Sequence, residues 1–413
     1  MLDQKKLEIQ ESAVKVWFDT GCKGTLNLAT GSGKTFCFLM ICRMLASKSV
    51  VTGKYLKVLF LAETNQREID LKNDIDKFIK ITGFDFYKFV DLHFACYQSA
   101  YKWKDTKWDL VCADEIHSGL TPQYSKFFEN NKCDNIVGLS ATIDRSTKYT
   151  DENGIEYTKG NLVDKIAPVV FTYSLNDSIK NNTSKKLTIY IINHRLDVTN
   201  KIIEAGTKDR KFLTTEQENY DYWDNEFKKS LFLPDGPAKT FRIRNTSAAR
   251  AKLLYIAPSK IDITNKLISQ LKGKTIVFGN SIDALNQITK NTISSKNSEI
   301  KNALIRQQFA DNKINIIGSF KMLKQGANLP HLDNTVIHSY YSKELDFIQM
   351  LGRQRNSEFA GNVFILRTAG TVETKWYSKA TEKITNYEII ECANVEDCIN
   401  KYLQNFNEVS KVA

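Results

Sequence analysis

Hydrophobic and polar positions along the first part of the chain follow two rhythms. From Lys6 to Asp19, apolar residues fall at Leu7, Ile9, Ala13, Val14, Val16, Trp17 and Phe18, which predicts an amphipathic helix. Short β-rich runs follow at Thr25 to Leu28, Lys57 to Ala62, Leu92 to Tyr97, Asp109 to Ala113 and Asn135 to Leu139. Helix-like or loop segments separate them, among them Phe36 to Ile41, which reads as a buried helix. Strands alternating with helices over this length predict a parallel sheet covered on both faces. The polar stretch Ser146 to Lys165 breaks the rhythm, and a second one, Ser174 to Lys186, is placed as the linker. The alternation then resumes at Leu187 to Asn193, Lys274 to Gly279, Ile314 to Ser319, Thr335 to Tyr340 and Asn362 to Leu366. Between the first two of these runs, Lys201 to Gln270 carries helical-looking charge patterns around a Pro234-Asp235-Gly236-Pro237 loop. The chain ends with a strand at Glu388 to Glu391 and a helix from about Val395. The expectation is an α/β protein of two sheets, with domains over residues 1–175 and 176–413.

Composition changes this picture little. The 413 residues have room for two or three domains, and 42% hydrophobic with 25% charged residues is ordinary for a globular protein. A net charge of +11 favours an anionic partner such as nucleic acid, although charge alone leaves a lysine-rich chain with no such partner equally open. The eight cysteines show no C-x-x-C pair and several sit in apolar runs. They read as small core residues of a reduced protein, not as a zinc site. The N-terminus has no apolar run of the signal-peptide kind, and no segment approaches the roughly 18 apolar residues of a membrane span. The expectation is a cytoplasmic protein without a membrane partner.

Chemistry enters at Ala29-Thr30-Gly31-Ser32-Gly33-Lys34-Thr35. A strand, a glycine loop and a helix in that order make a phosphate cradle, because loop N–H groups and the positive helix end face the anion. Lys34 would reach the outer phosphates and the Thr35 hydroxyl would ligate a magnesium ion. The loop is the shorter variant of the pattern, since Leu28 stands where the longer one has its first glycine. A second signal is Asp114-Glu115-Ile116-His117, closing an apolar strand. In doubly wound sheets ligand groups collect at the carboxyl ends of strands. Asp114 can hold the magnesium opposite Thr35, and Glu115 can orient and deprotonate a water. Taken alone, the pair would read equally well as an acidic helix cap.

Ser140-Ala141-Thr142 closes the next strand, and its two hydroxyls can relay the state of the acidic loop. Far downstream, Gln349-Met350-Leu351-Gly352-Arg353-Gln354-Arg355 offers two arginines whose planar forks suit a transition-state phosphate. In isolation this stretch is equally a basic exposed helix.

The order of these signals resembles the superfamily 2 helicases and translocases of the DExH branch, with the flavour of restriction-enzyme motor subunits and phage DNA helicases. The first half matches motif I (Ala29 to Thr35), Ia (Leu61 to Thr64), II (Asp114 to His117) and III (Ser140 to Thr142). The second half matches motif IV (Ile276 to Ser281), V (Gly326 to Pro330) and VI (Gln349 to Arg353). Gln10 resembles the adenine-reading glutamine of this superfamily, although Ile9 stands where an aromatic is usual. Motif V has Asn328 in place of a common aspartate, and Asn356 occupies the place of a second arginine, with Arg355 one residue short. The resemblance implies two tandem RecA-like P-loop domains, parallel sheets with helices on both faces, and ATP with magnesium between them. Thr30, Gly31, Ser32, Gly33, Lys34, Thr35, Gly326 and Asn328 would hold the nucleotide, and Gln349, Arg353 and Arg355 would serve catalysis.

Nucleic acid, DNA in preference to RNA, would cross the top of both domains. It would be held through Thr64, Asn65, Arg67, Gln98 and Ser99 in the first, and Asn280, Ser281, Ser319 and Lys321 in the second. Each of these could also be a plain loop cap. The implied function is an ATP-driven helicase or translocase. An RNA helicase, or a nucleic-acid-stimulated ATPase switch within a replication, recombination or restriction complex, stays open beside it.

Overall fold

The computed structural model describes residues 4–29, 31–50, 53–141, 143, 145, 147–150, 154, 156–181, 183, 187–207, 209–320, 332–340, 361–381 and 387–412. The chain divides into two compact units, Met1–Lys185 and Lys186–Ala413.

In the first unit six parallel strands form one sheet. They are β1 (Lys23–Leu28), β2 (Leu56–Ala62), β3 (Val90–Cys96), β4 (Lys107–Asp114), β5 (Lys132–Ser140) and, after the small antiparallel hairpin β6 (Lys148–Thr150) and β7 (Glu156–Thr158), β8 (Val169–Tyr173). The order across the sheet is β3-β2-β4-β5-β1-β8. Helices α1 (Gln4–Asp19), α2 (Lys34–Val50) and α3 (Gln66–Thr82) bury Trp17, Phe38, Ile75 and Phe78 against one face. Tyr97, Ile116, Phe127 and Val163 pack the other. Burial on both faces explains why β2 and β4 read as nearly continuous apolar runs.

The second unit repeats the plan with β9 (Leu187–His194), β12 (Lys274–Gly279), β13 (Thr292–Ile293), β14 (Ile316–Phe320), β15 (Leu332–Ile337), β16 (Gly361–Thr368) and β17 (Glu388–Cys392). All pair in parallel, in the order β13-β14-β12-β15-β16-β9-β17. An antiparallel hairpin, β10 (Ile203–Thr207) with β11 (Arg210–Thr214), lies between β9 and β12 in the chain.

Three expectations need correction. Tyr97 does not end a strand but opens a short helix, Tyr97–Ala100. The strand expected at Thr335 to Tyr340 instead runs Leu332–Ile337. Its polar start is tolerated because Asp333 Oδ2 accepts from Lys274 N (2.8 Å) and Asn334 Nδ2 donates to Lys272 O (2.6 Å). The segment read as helical from Lys201 begins with the β10–β11 hairpin, and helices follow at Glu216–Leu231, Pro237–Ile256 and Pro258–Ile268. The eight cysteines are free thiols, five of them buried. No helix among the described residues is long and apolar enough to cross a membrane.

Candidate functional site

Every strand of the first sheet points the same way, so the loops after β1, β2, β3, β4 and β5 gather at one edge. That edge collects the residues expected from the sequence. The loop after β1 starts where Ala29 N donates to Tyr173 O of β8 (2.8 Å). It turns sharply, with Ser32 N and Oγ both donating to Ala29 O (3.2 and 2.7 Å). Gly31 and Gly33 have φ of 80° and 91°, where side chains with a Cβ are strained. A Cβ on Gly33 would also lie 2.1 Å from Gln10 Nε2. Gln10 is buried in α1 and donates that Nε2 to Ser32 O (2.8 Å). Its Oε1 is buried without a hydrogen-bond partner, a costly arrangement that a donor placed beside the loop would relieve.

Lys34, the first residue of α2, donates Nζ to Glu115 Oε1 at 2.6 Å. Glu115 follows β4 in the left-handed conformation (φ 45°, ψ 53°), which costs a non-glycine residue ~1–3 kcal/mol and turns its carboxylate back toward the loop. Asp114 and Thr35 meet through a third side chain. Arg67 donates Nε to Asp114 Oδ2 and Nη2 to Thr35 Oγ1, both at 2.6 Å. Burial works against this guanidinium's charge, but Asp114, with Asp74 and Asp70, outweighs it and holds its pKa above the ordinary arginine value. Arg67 therefore lies inside the site and not on the open face expected of a strand-gripping residue. The reason is geometric: it belongs to the first turn of α3, directly after the carboxyl end of β2. Sequence spacing alone does not say which way such a residue turns.

Behind the acidic loop, His117 Nδ1 and Ser140 Oγ share a hydrogen bond of 2.9 Å, and Nδ1 lies 3.5 Å from Glu115 Oε2. Burial lowers the His117 pKa, with Glu115 opposing, so the ring is neutral near neutral pH. Tyr97 donates its hydroxyl to Asp114 O (2.8 Å) and packs so tightly that a Cβ on Gly119 would stand 2.2 Å from its ring. Tyr97 fixes the strand end that carries Asp114.

The remaining expected residues fall in different surroundings. Thr64, Gln98 and Ser99 are exposed at the same edge, with Gln98 donating to Glu63 O (3.3 Å) and Ser99 to Cys96 O (2.9 Å). In the second unit, Asn280 N donates to Ser339 Oγ (2.7 Å), and its side-chain amide is buried with neither atom hydrogen bonded. Ser281 caps the helix Ile282–Ile288. Ser319 is fully buried within β14, so its hydroxyl is not presented to a strand lying on the surface. Thr30, Thr142, Lys321, Gly326, Asn328, Gln349, Arg353 and Arg355 lie outside the described residues.

Comparison with known proteins adds family and fold. Residues 4–145 match the family model described as "Type III restriction enzyme, res subunit". No curated protein matches the sequence. Among solved structures the chain is similar to an "ATP-dependent Type ISP restriction-modification enzyme LlaBIII bound to DNA", at 14% identity and TM-score 0.57 over 94% of this chain. The chain spans 31% of that enzyme's length. "S. cerevisiae Dbp5 bound to RNA and ADP BeF3" matches at 12% identity and TM-score 0.60, covering 98% of this chain and 93% of the other. The Pyrococcus furiosus Hef helicase domain matches at 15% identity and TM-score 0.52, covering 89% and 96%. At such identities the likeness is one of fold: two tandem RecA-like units of the helicase type.

Proposed function

We propose that this chain, whose residues 4–145 form a superfamily 2 helicase-type domain, is an ATP-dependent helicase or translocase that moves along or unwinds nucleic acid, DNA in preference to RNA. One observation carries the reading. Lys34, Thr35, Asp114 and Glu115 converge at the carboxyl edge of a parallel sheet, with Lys34 and Glu115 in contact at 2.6 Å. The residues fit magnesium and ATP: a glycine loop whose positive φ at Gly31 and Gly33 disfavours a Cβ, an orphaned Gln10 Oε1 beside it, and an ammonium, a hydroxyl and a carboxylate together. When bound, magnesium–ATP supplies the scissile phosphate and a cation that neutralises its charge.

The chain's own groups do the rest. Lys34 Nζ holds the outer phosphates, which draws it from Glu115 and leaves that carboxylate to orient water and take its proton. Thr35 Oγ1 and Asp114 Oδ2 hold the cation, and Gln10 Oε1 accepts a hydrogen bond from the base. His117 and Ser140 pass the position of the acidic loop on toward Thr142. Residues 1–175 act as the ATP-binding domain and 176–413 as its helicase partner, contributing Gly326, Asn328, Gln349 and the arginines Arg353 and Arg355. Thr64, Gln98, Ser99 and Asn280 hold the strand. The setting is cytoplasmic, with a replication, recombination or restriction complex as the assembly served.

The likeness to an RNA-bound Dbp5 keeps an RNA helicase as the second reading. An ATPase switch without strand separation is a third. ATP turnover with and without DNA or RNA tests the proposal: turnover rises sharply with nucleic acid, and no rise overturns it. Glu115→Gln retains nucleotide binding and loses ~10²–10⁴-fold in turnover. Strand displacement on matched DNA and RNA forks of both polarities separates the readings.

A further inference from the structure

Between β9 and β12 the second unit carries two helices, Glu216–Leu231 and Pro237–Ile256, that pack against each other across a short turn. The base of this helical hairpin is tied to the unit. Val372 N donates to Tyr220 Oη (2.8 Å), Ser259 N donates to Glu216 Oε1 (2.8 Å), and Tyr220, Leu254 and Tyr255 share a buried cluster with Leu196. Its tip is the opposite. Residues 231–238 are all exposed, and they include Leu231, Phe232 at 87% exposure and Leu233. Phe241, 66% exposed, follows on the second helix. Leaving a phenylalanine in water forgoes ~1.5–3 kcal/mol of burial, so several apolar side chains together at one tip mark a surface that something covers.

The charges around the tip say what covers it. Residues 228–244 hold five cations, Lys228, Lys229, Lys239, Arg242 and Arg244, against one carboxylate, Asp235. Lys228, Lys229 and Lys239 pair with Asp224, Glu226 and Asp235 at 2.8–2.9 Å, and Arg242 also pairs with Glu226. Lys228, Lys229 and Arg242 keep 53–75% of their side chains open to solvent although the carboxylates they pair with keep only 13–18%, so phosphates can reach these cations from the open side. A protein-docking patch is depleted of lysine at its centre, whereas aromatic rings interleaved with basic residues are the composition of a surface that grips single strands.

We infer that this hairpin tip is an accessory nucleic-acid site, in which Phe232 and Phe241 stack on unpaired bases while the flanking cations hold the phosphates. The inference rests on the motor reading for its purpose, as a base-stacking contact additional to the strand grip proposed for Thr64, Gln98, Ser99 and Asn280.

The test is binding of a fluorescein-labelled single strand, in DNA and RNA arms at one salt concentration, to the full chain and to variants of Phe232. Phe232 is almost fully exposed, so its replacement leaves the fold intact, and unchanged melting with unchanged basal ATP turnover confirms that. Phe232→Ala binds about 5- to 150-fold more weakly, the range for losing one base–aromatic stack. Phe232→Trp restores binding because it restores a flat ring, and Phe232→Leu, apolar without a π face, does not. Wild-type binding by Phe232→Ala overturns the proposal. So does wild-type binding by Phe232→Leu, which would make the tip a general apolar docking site. The two readings fail separately. Absence of nucleic-acid-stimulated turnover in the unmodified chain sinks the motor, whereas stimulation that persists beside a neutral Phe232 sinks only the tip.

Discussion

Two clusters of charge sit near the carboxyl edges of the two sheets, and they are built to opposite ends. In the first unit Lys34–Glu115 and Arg67–Asp114 are close pairs whose side chains keep between 8% and 19% of their surface open. In the second, Lys260 and Glu373 are fully buried, with Lys260 Nζ donating to both carboxylate oxygens (2.6 and 2.8 Å). Thr368 N adds a third hydrogen bond to Glu373 at 3.0 Å. Burial lowers the Lys260 pKa, with Glu373 opposing. His194 and His338 stand around the pair, held neutral by burial and by the Lys260 charge. The first cluster pairs charges that a ligand can draw apart. The second satisfies its charges internally and seals them. The same topological position thus carries partly open charge pairs in one unit and a sealed pair in the other.

The largest expected effect tests the sealed pair. Lys260→Met leaves Glu373 buried without its counter-charge and costs ~3–5 kcal/mol, measured by denaturant unfolding of the second unit. The double replacement Lys260→Met with Glu373→Leu recovers most of that loss, because both desolvation penalties disappear together. A loss below ~1 kcal/mol for Lys260→Met alone, typical of a surface pair, would erase the contrast with Lys34.

Per pH unit, acid sharpens the comparison by a smaller amount. His194 and His338 are pushed down to about 3 from an ordinary 6.5, chiefly by burial and next by Lys260. Both rings are fixed as neutral groups: His338 lies between Thr264 Oγ1 (2.8 Å) and Tyr255 O (3.1 Å), and His194 between Thr368 Oγ1 (3.2 Å) and Ser259 Oγ (2.8 Å). A histidine whose folded pKa is depressed stabilises fully above its unfolded value and loses that contribution as pH falls toward the folded one. The window runs from 6.5 down to about 3, at up to ~1.4 kcal/mol per pH unit for each ring. Melting of the second unit should fall steadily as pH drops below 6.5, and His338→Gln should flatten the slope. A melting temperature that stays level across this window counts against the sealed network.

What the sequence disclosed divides along the same line. The glycine loop, Asp114-Glu115 and Ser140 were legible because each is local: a few adjacent residues closing an apolar strand, with topology bringing the strand ends together. Nothing local marks Lys260 and Glu373, which are 113 residues apart and look like any charges on amphipathic helices. Strand β15 starts before the run that the apolar pattern predicts because Asp333 and Asn334 look like loop residues, and only their bonds to the Lys272–Lys274 backbone place them in the sheet. The β10–β11 hairpin hid behind alternating charges that suit a helix surface as well as an exposed ribbon. Nothing in the sequence marks Phe232, because a Pro/Gly loop reads as polar punctuation, not as the display of an apolar side chain.

Arg67 gives the smallest expected effect and bears most directly on what makes the first cluster exchangeable. Its guanidinium touches the same two oxygens, Thr35 Oγ1 and Asp114 Oδ2, that are proposed to hold the cation. Arginine cannot shed its proton to make way, the more so with its pKa raised by Asp114 against the effect of burial. Only movement can release those oxygens, and Asp74, 3.6 Å from Nη1, offers the displaced guanidinium a partner on the same helix. Arg67→Gln keeps a hydrogen-bonding side chain and removes the competing charge. The magnesium concentration that half-saturates binding of a fluorescent ATP analogue should then fall by about tenfold, on the scale of one charge-assisted hydrogen bond. An unchanged requirement would mean that Arg67 and the cation do not compete for these oxygens. A raised one would make Arg67 a support of the metal site and place the first cluster closer to the sealed design of the second.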